Sequence, residues 1–242
     1  MTSEPDVDLD RVWTGVAAHV WQRRPGRTER LARWVTRSPG LARALAATPA
    51  LLWPWLTASA VVLIIGAVVT PGTGHPFLPL VPLLVPAVAA AGVAYAYGPG
   101  IDPAFELARS MAVSDRLVLL ARAGAIFVLN AALGVAASVL AWAASSLGTS
   151  AAHAGITFGW LAPMVAISAV ALAAATLARS ANVGVAAGLA VWCIAVLGGQ
   201  AAGGRPGAAV TDGALVLPYL AVAVGCAAVV LVRTRRSEGA RP

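Results

Sequence analysis

The stretch PGIDPAFELARSMAVSDRLVLLAR, residues 99–122, is the one charge-bearing segment of any length between two long hydrophobic regions. Asp102 has the position of a helix N-cap, and Pro103 that of the first helical residue after it. We expect a short helix at 102–112, followed by a much longer apolar helix that begins near Asp115. A capped, charged surface helix in this position is typical of an element that docks another protein.

The composition predicts an all-α, polytopic membrane protein. Of the 242 residues, 59% are hydrophobic and 11% are charged, whereas soluble domains carry roughly 25% charged residues. Several apolar stretches approach or exceed the ~20 residues that cross a bilayer as a helix. They predict six transmembrane helices, at about 51–69, 77–97, 117–147, 156–177, 183–197 and 214–232.

The arginines predict how these helices are oriented. All 17 basic residues are arginines, and with the N-terminus inside the cell only Arg205 falls on the outer side. Cytoplasmic loops of membrane proteins are enriched in arginine and lysine. We therefore expect both termini and the stretch 99–122 in the cytoplasm. This placement also accounts for the net charge of +7 without a nucleic-acid partner.

Arginine without lysine indicates a GC-rich genome, so we expect the plasma membrane of a high-GC bacterium.

The third span is longer than a bilayer requires. Its ~31 residues at 1.5 Å per residue exceed a hydrocarbon core of about 30 Å. We expect its first turns, with Arg116 and Arg122, to project into the cytoplasm.

The chain divides by pattern into a cytoplasmic segment at 1–48, a transmembrane domain at 49–232 and a basic tail at 233–242. The first segment has apolar residues at helical spacing and arginines between them. Tryptophan on one face and arginine on the other is typical of a helix that lies in the headgroup plane, in contact with membrane lipids. We expect interfacial anchors at Trp13, Trp21, Trp34, Trp53 and Trp55.

The spans contain few polar groups. Either these residues line a pathway, or each makes a helix–helix hydrogen bond or a bond to a carbonyl one turn back, which is favoured for each residue alone. No carboxylate lies in the hydrophobic part of a span, which disfavours a transporter coupled to an ion gradient. The main polar residues within the spans are Asn130, Ser138, Ser168 and Thr176.

Small residues are frequent at 169–178 and 184–190. They allow helices to approach closely, within one subunit or between two copies.

No catalytic or metal-binding motif is present, so we expect neither an enzyme nor a metal or cofactor on this chain. A phosphate-binding P-loop needs a lysine, and this chain has none. Any ATP and Mg²⁺ must therefore be bound by a separate polypeptide.

Two spans, a short cytoplasmic helix with an acidic residue and a long third span resemble the membrane subunits of ATP-binding-cassette (ABC) exporters of the second type. In that family the short helix is the coupling helix, which sits in a groove of the ATPase subunit, and the segment before the first span is similar to the family's elbow helix. The resemblance implies ATPase contacts by Asp102, Phe105, Glu106, Leu107 and Arg109.

The resemblance also implies a half-size permease that pairs with a second six-span subunit, identical or different. It implies export, and the apolar spans suit a hydrophobic or amphipathic substrate. Members of the family often carry re-entrant helices between spans five and six. The glycine-rich loop predicted at 198–213 is too short for a helical hairpin, so we expect a reduced or differently built outer gate.

A different class of function stays open. The chain is alternatively a membrane-embedded interaction or signalling subunit that works through its arginine-rich N-terminal helices.

Overall fold

A computed structural model describes residues 8, 10–12, 14–15, 30, 34, 49–72, 80–97, 115–146, 158–203 and 207–239. Every regular element in these ranges is helical, and they contain no strand, so the all-α prediction is confirmed for this part of the chain. The chain divides into two compact units, Met1–Ala46 and Ala47–Pro242.

In the first unit, residues 10–12 and 14–15 are helical and begin at a capped turn. The Asp8 Oδ1 atom accepts a hydrogen bond from the Arg11 amide at 3.2 Å, which satisfies one of the free donors of a helix N-terminus. Trp34 is helical and 80% exposed. The predicted anchors Trp13 and Trp21 lie outside the described residues.

The described part of the second unit contains six long helices. They are α1 (Pro49–Gly72), α2 (Leu80–Tyr95), α3 (Asp115–Ser146), α4 (Leu161–Ala178), α5 (Ala181–Gly203) and α6 (Val216–Gly239). A short helix, Ala208–Thr211, and a 3₁₀ turn, Gly213–Leu215, lie between α5 and α6.

The predicted glycine-rich loop at 198–213 is therefore largely helical, which corrects the sequence interpretation. Packing overrides the low helix propensity of glycine here. A Cβ atom built on Gly199 would lie 3.0 Å from the backbone nitrogen of Ala209, so the end of α5 is held directly against the short helix. The fourth helix also begins later than predicted, at Leu161 instead of 156.

Four helices are long and apolar enough to cross a membrane, by length and composition, among the residues described. They cover Arg116–Ala143, Leu161–Ala178, Ala181–Ala201 and Gly213–Thr234. The stretches Trp55–Gly66 and Leu80–Tyr95 are apolar but shorter. Four of the six predicted spans thus coincide with helices of membrane-spanning length, which fits a multi-pass membrane protein.

The helices alternate in direction, as the residues that meet across their interfaces show. A Cβ atom on Gly92 of α2 would lie 2.6 Å from the Trp55 Nε1 atom of α1. At the other end of the pair, a Cβ atom on Gly66 of α1 would lie 2.9 Å from a Leu84 methyl carbon. Helices α1 and α2 are therefore antiparallel.

The remaining helices follow the same alternation. One core cluster joins the end of α2 to the beginning of α3 and the end of α4, and it also contains Val230 near the end of α6; its buried members are Val93, Ala96, Ala123, Ile126, Leu172, Ala173 and Val230. Helix α2 packs against α1, α3, α4 and α5, whereas α6 packs mainly against α4. Helices α2 and α4 are therefore the centre of the bundle.

Helices α2, α4 and α5 meet through small residues. A Cβ atom on Gly184 would lie 2.6 Å from the Ala171 carbonyl oxygen and 2.7 Å from the Ala175 Cβ atom. One turn further along α5, a Cβ atom on Gly188 would lie 2.9 Å from the Ala171 Cβ atom and 3.3 Å from that of Ala90. The two glycines are spaced i, i+4, the spacing that lets membrane helices pack backbone to backbone. These small-residue faces are used within the subunit.

Candidate functional site

One end of the bundle collects the arginines that the structure describes in the second unit. The end of α2, the beginning of α3, the α4–α5 turn and the end of α6 meet there because the helices alternate in direction. They bring Arg116 and Arg122 of α3 to the same end as Arg179 and Arg233. We call these four residues and the helix ends that carry them the arginine end.

Arg122 is buried within this end, with 7% of its surface exposed. Its chain neighbour Ala123 belongs to the cluster that also contains Ala96 of α2 and Val230 of α6. Arg116, nearer the beginning of α3, is partly exposed. The expectation that these first turns project into the cytoplasm stays a prediction. A guanidinium that is removed from water must interact with polar or charged groups.

Arg179 occupies the two-residue turn between α4 and α5. Its φ of 54° and ψ of 34° are left-handed, and it is the only non-glycine residue with positive φ among those described. The amides of Arg179 and Ser180 both donate to the Ala175 carbonyl, which satisfies the end of α4. Because this conformation favours glycine, an arginine here costs about 1 kcal/mol.

Tyr97 lies two residues beyond the end of α2, on the side of Arg179. Burial raises the pKa of its phenol, and the positive charge of Arg179 partly opposes that rise. The electrostatic coupling places the Arg179 guanidinium near the point where the chain leaves α2.

The predicted coupling residues Asp102, Phe105, Glu106, Leu107 and Arg109 lie outside the described residues. The helices on either side are described, since α2 ends at Tyr95 and α3 begins at Asp115. Both of these helix ends belong to the arginine end.

Three of the four predicted pathway residues bond to carbonyl groups of their own helix. The Asn130 Nδ2 atom donates to the Ile126 carbonyl at 2.8 Å. Ser138 Oγ donates to the Gly134 carbonyl at 2.8 Å, and Thr176 Oγ1 donates to a carbonyl three residues back at the same distance. Such bonds satisfy hydroxyl and amide donors without a second helix.

Two of these four residues are nevertheless buried with polar atoms that make no hydrogen bond within the described structure. Asn130 is 1% exposed, and its Oδ1 atom has no donor; Ser168 is 4% exposed, and its Oγ atom has no partner. Ser59 of α1, which sequence reasoning missed, is 2% exposed, and its Oγ atom also has no hydrogen-bond partner. A serine within an apolar run gives no signal of its own, because many such serines simply bond one turn back.

Two tryptophans of the bundle contact a neighbouring helix, and the role of Trp53 and Trp55 as interfacial anchors stays a prediction. Trp55 packs across Gly92, and its ring centroid lies 6.0 Å from that of Tyr95. Trp192, which was not predicted, donates from Nε1 to the Leu83 carbonyl at 3.0 Å. That carbonyl lies in the same turn of α2 as Pro86, whose nitrogen carries no hydrogen and so cannot donate to the Pro82 carbonyl one turn back. Trp53 lies within α1.

Comparison with protein-family models, curated proteins and solved structures finds no match to this chain. The class that the fold defines is thus an all-helical bundle with four helices of membrane-spanning length and arginines gathered at one end.

Proposed function

We propose that this chain is the permease subunit of an ABC transporter, with six spans and both termini in the cytoplasm. The observation that carries the proposal is that α2 ends and α3 begins at the arginine end. Arginine-rich ends face the cytoplasm, and this supports the proposal that the segment between α2 and α3 carries the coupling helix.

The packing of α2 supports a role in transmitting movement. This helix contacts α1, α3, α4 and α5, whereas α6 packs mainly against α4. A displacement applied to the end of α2 therefore reaches four helices directly. In the proposed mechanism, closure of the ATPase pushes the helix at 102–112, and α2 and α3 move as its levers.

In this proposal, other subunits bind ATP and complete the translocation path. ATP and Mg²⁺ are bound by separate ATPase subunits, and a second six-span permease, identical or different, completes the translocation path. The substrate is a hydrophobic or amphipathic molecule that is exported through an alanine-rich path.

Co-purification tests the proposal. The protein is extracted from its own host in a mild detergent, and the associated proteins are identified by mass spectrometry. An ABC ATPase is expected at a stoichiometric level. If repeated extractions with chemical cross-linking yield no ATPase, the permease proposal is wrong.

A double variant tests the coupling segment itself. Phe105→Ala with Glu106→Ala is expected to abolish assembly with the ATPase while membrane insertion stays intact. The matched control is Phe158→Ala with Asp212→Ala, which removes a 52% exposed phenylalanine and an exposed carboxylate at the opposite end of the bundle. Equal loss of assembly in both pairs would place the contact outside 102–112.

The alternative, an interaction or signalling subunit, is supported by the first unit. Met1–Ala46 is compact in its own right, and Trp34 is 80% exposed in a helix, as a docking residue is. Deletion of residues 1–40 distinguishes the two functions. It abolishes function in the alternative, whereas changes within 99–115 are then tolerated.

A further inference from the structure

We propose that the arginine end binds the phosphate group of an anionic phospholipid from the surrounding membrane. This inference concerns the lipid contact of the bundle and holds whether or not an ATPase drives the protein.

The charge of this end suits a phosphate. The helix ends that meet there, residues 115–122, 179 and 233–239, carry six arginines and two carboxylates, a net charge of +4. Asp212, which caps the 3₁₀ turn, lies at the opposite end of the bundle. Arginine binds phosphate through two parallel N–H donors, so it holds the group in one orientation.

The surroundings of these arginines suit a lipid better than a soluble anion. Leu177, two residues before Arg179, is 47% exposed, and Leu117, next to Arg116, is also 47% exposed. Charged and apolar surface therefore alternate within one turn, which matches a headgroup joined to acyl chains. Basic sites between helices at the cytoplasmic side are known places for anionic headgroups.

An apolar cluster lies between two arginines of this end. Arg122 is 7% exposed beside the apolar cluster that contains Val230, and Arg233 follows Val230 by three residues on α6. The two arginines thus flank one apolar cluster, and Arg233, whose side chain is exposed, is the one of the two that a lipid phosphate can reach.

The backbone conformation of Arg179 is a separate reason to assign a lipid phosphate to this end. Glycine is the favoured residue at a left-handed helix end, yet this chain holds an arginine there with φ of 54°. The side chain is exposed at the boundary of the bundle, so the strained position presents a guanidinium to the headgroup region.

Lipid binding is measured on the delipidated, detergent-purified full chain by native mass spectrometry. Phosphatidylglycerol and phosphatidylcholine are titrated separately, and inorganic phosphate is added as a competitor. We expect retention of phosphatidylglycerol over phosphatidylcholine and no displacement by phosphate at the same concentration. Equal retention of the two lipids, or displacement by phosphate alone, overturns the proposal.

Substitutions locate the site. Arg179→Gln and Arg233→Gln change exposed residues and are each expected to weaken phosphatidylglycerol binding about fivefold. Arg179→Lys keeps the charge but not the two parallel donors, so its affinity is expected to lie between those of the wild type and Arg179→Gln. The matched control is Arg205→Gln, which removes the same charge from the stretch of sequence between α5 and the short helix and is expected to leave binding unchanged. If Arg205→Gln weakens binding as much as the other two, the lipid is held by net charge and not at this end. Failure of the ATPase co-purification has no bearing on either result.

Discussion

The junction of α2, α4 and α5 depends on the absence of a side chain at Gly184. Substitution by alanine adds one methyl group, which would lie 2.6 Å from the Ala171 carbonyl oxygen and 2.7 Å from the Ala175 Cβ atom. Ordinary van der Waals contact begins at 3.4 Å. The nearest obstacle is backbone, which cannot rotate away, so α5 must move from α4 by about 0.8 Å, the difference between 3.4 and 2.6 Å.

This displacement sets the size of the effect. Insertion of a methyl group into a packed core costs about 1–3 kcal/mol. A gap of 0.5–1 Å also forfeits roughly a quarter to a half of each dispersion contact along the interface, including that of Gly188 with Ala171. Alanine regains up to about 1 kcal/mol of helix propensity. We therefore expect Gly184→Ala to destabilise the protein by about 1–2 kcal/mol.

The assay is unfolding of the detergent-solubilised protein by increasing SDS, followed by tryptophan fluorescence. The control is Gly198→Ala in the same helix, where a Cβ atom would have nothing within 4 Å. This variant gains the propensity term without a clash, so its unfolding midpoint is expected to equal or exceed that of the wild type. Identical midpoints for Gly184→Ala and Gly198→Ala would refute the close approach of α5 to α4.

Three further predictions use the same unfolding assay. Trp192→Phe removes the hydrogen bond to the Leu83 carbonyl and is expected to cost about 0.5–1.5 kcal/mol, whereas Ile194→Ala, at a 69% exposed site on the same helix, changes stability little; equal losses argue against this hydrogen bond. Asn130→Leu removes a buried acceptor that makes no described hydrogen bond and is expected to stabilise the protein by about 1 kcal/mol. A loss of stability instead shows that the Asn130 Oδ1 atom accepts a hydrogen bond in the membrane. If the protein is a transporter, a gain of stability with loss of transport assigns Asn130 to the pathway. Arg179→Gly relieves a left-handed backbone and is expected to add about 1 kcal/mol, and a loss of stability instead shows that the arginine side chain contributes more than the backbone strain costs.

The sequence predicts the helices well but not their neighbours. Hydropathy places four of the spans on helices of membrane-spanning length, since the need to bury backbone groups in a bilayer leaves few alternatives. The small residues at 184–190 indicate close packing, yet they do not say against which helix. That choice depends on which surfaces remain uncovered once the other helices are in place, and local sequence does not encode it.

The candidate site, like the fold, was predicted only in part from the sequence. A count of arginines predicts that they gather at one side, because charge is expensive in hydrocarbon and each span reverses the direction of the chain. The length of the third span predicts that its first turns project into the cytoplasm, but it does not predict that Arg122 is buried, with 7% of its surface exposed. The burial of Ser59 and the hydrogen bond of Trp192 to the Leu83 carbonyl of α2 likewise depend on residues that are distant in the sequence.

The sequence by itself determined that the chain is helical, apolar enough for a membrane and charged at one end, since these properties follow from composition and from spacing along one chain. The tertiary structure decided that α2 and α4 are central, that Gly184 admits no side chain and that one arginine of the charged end is buried. The physical reason is that close packing and burial depend on three-dimensional neighbours, which residues far apart in the sequence supply.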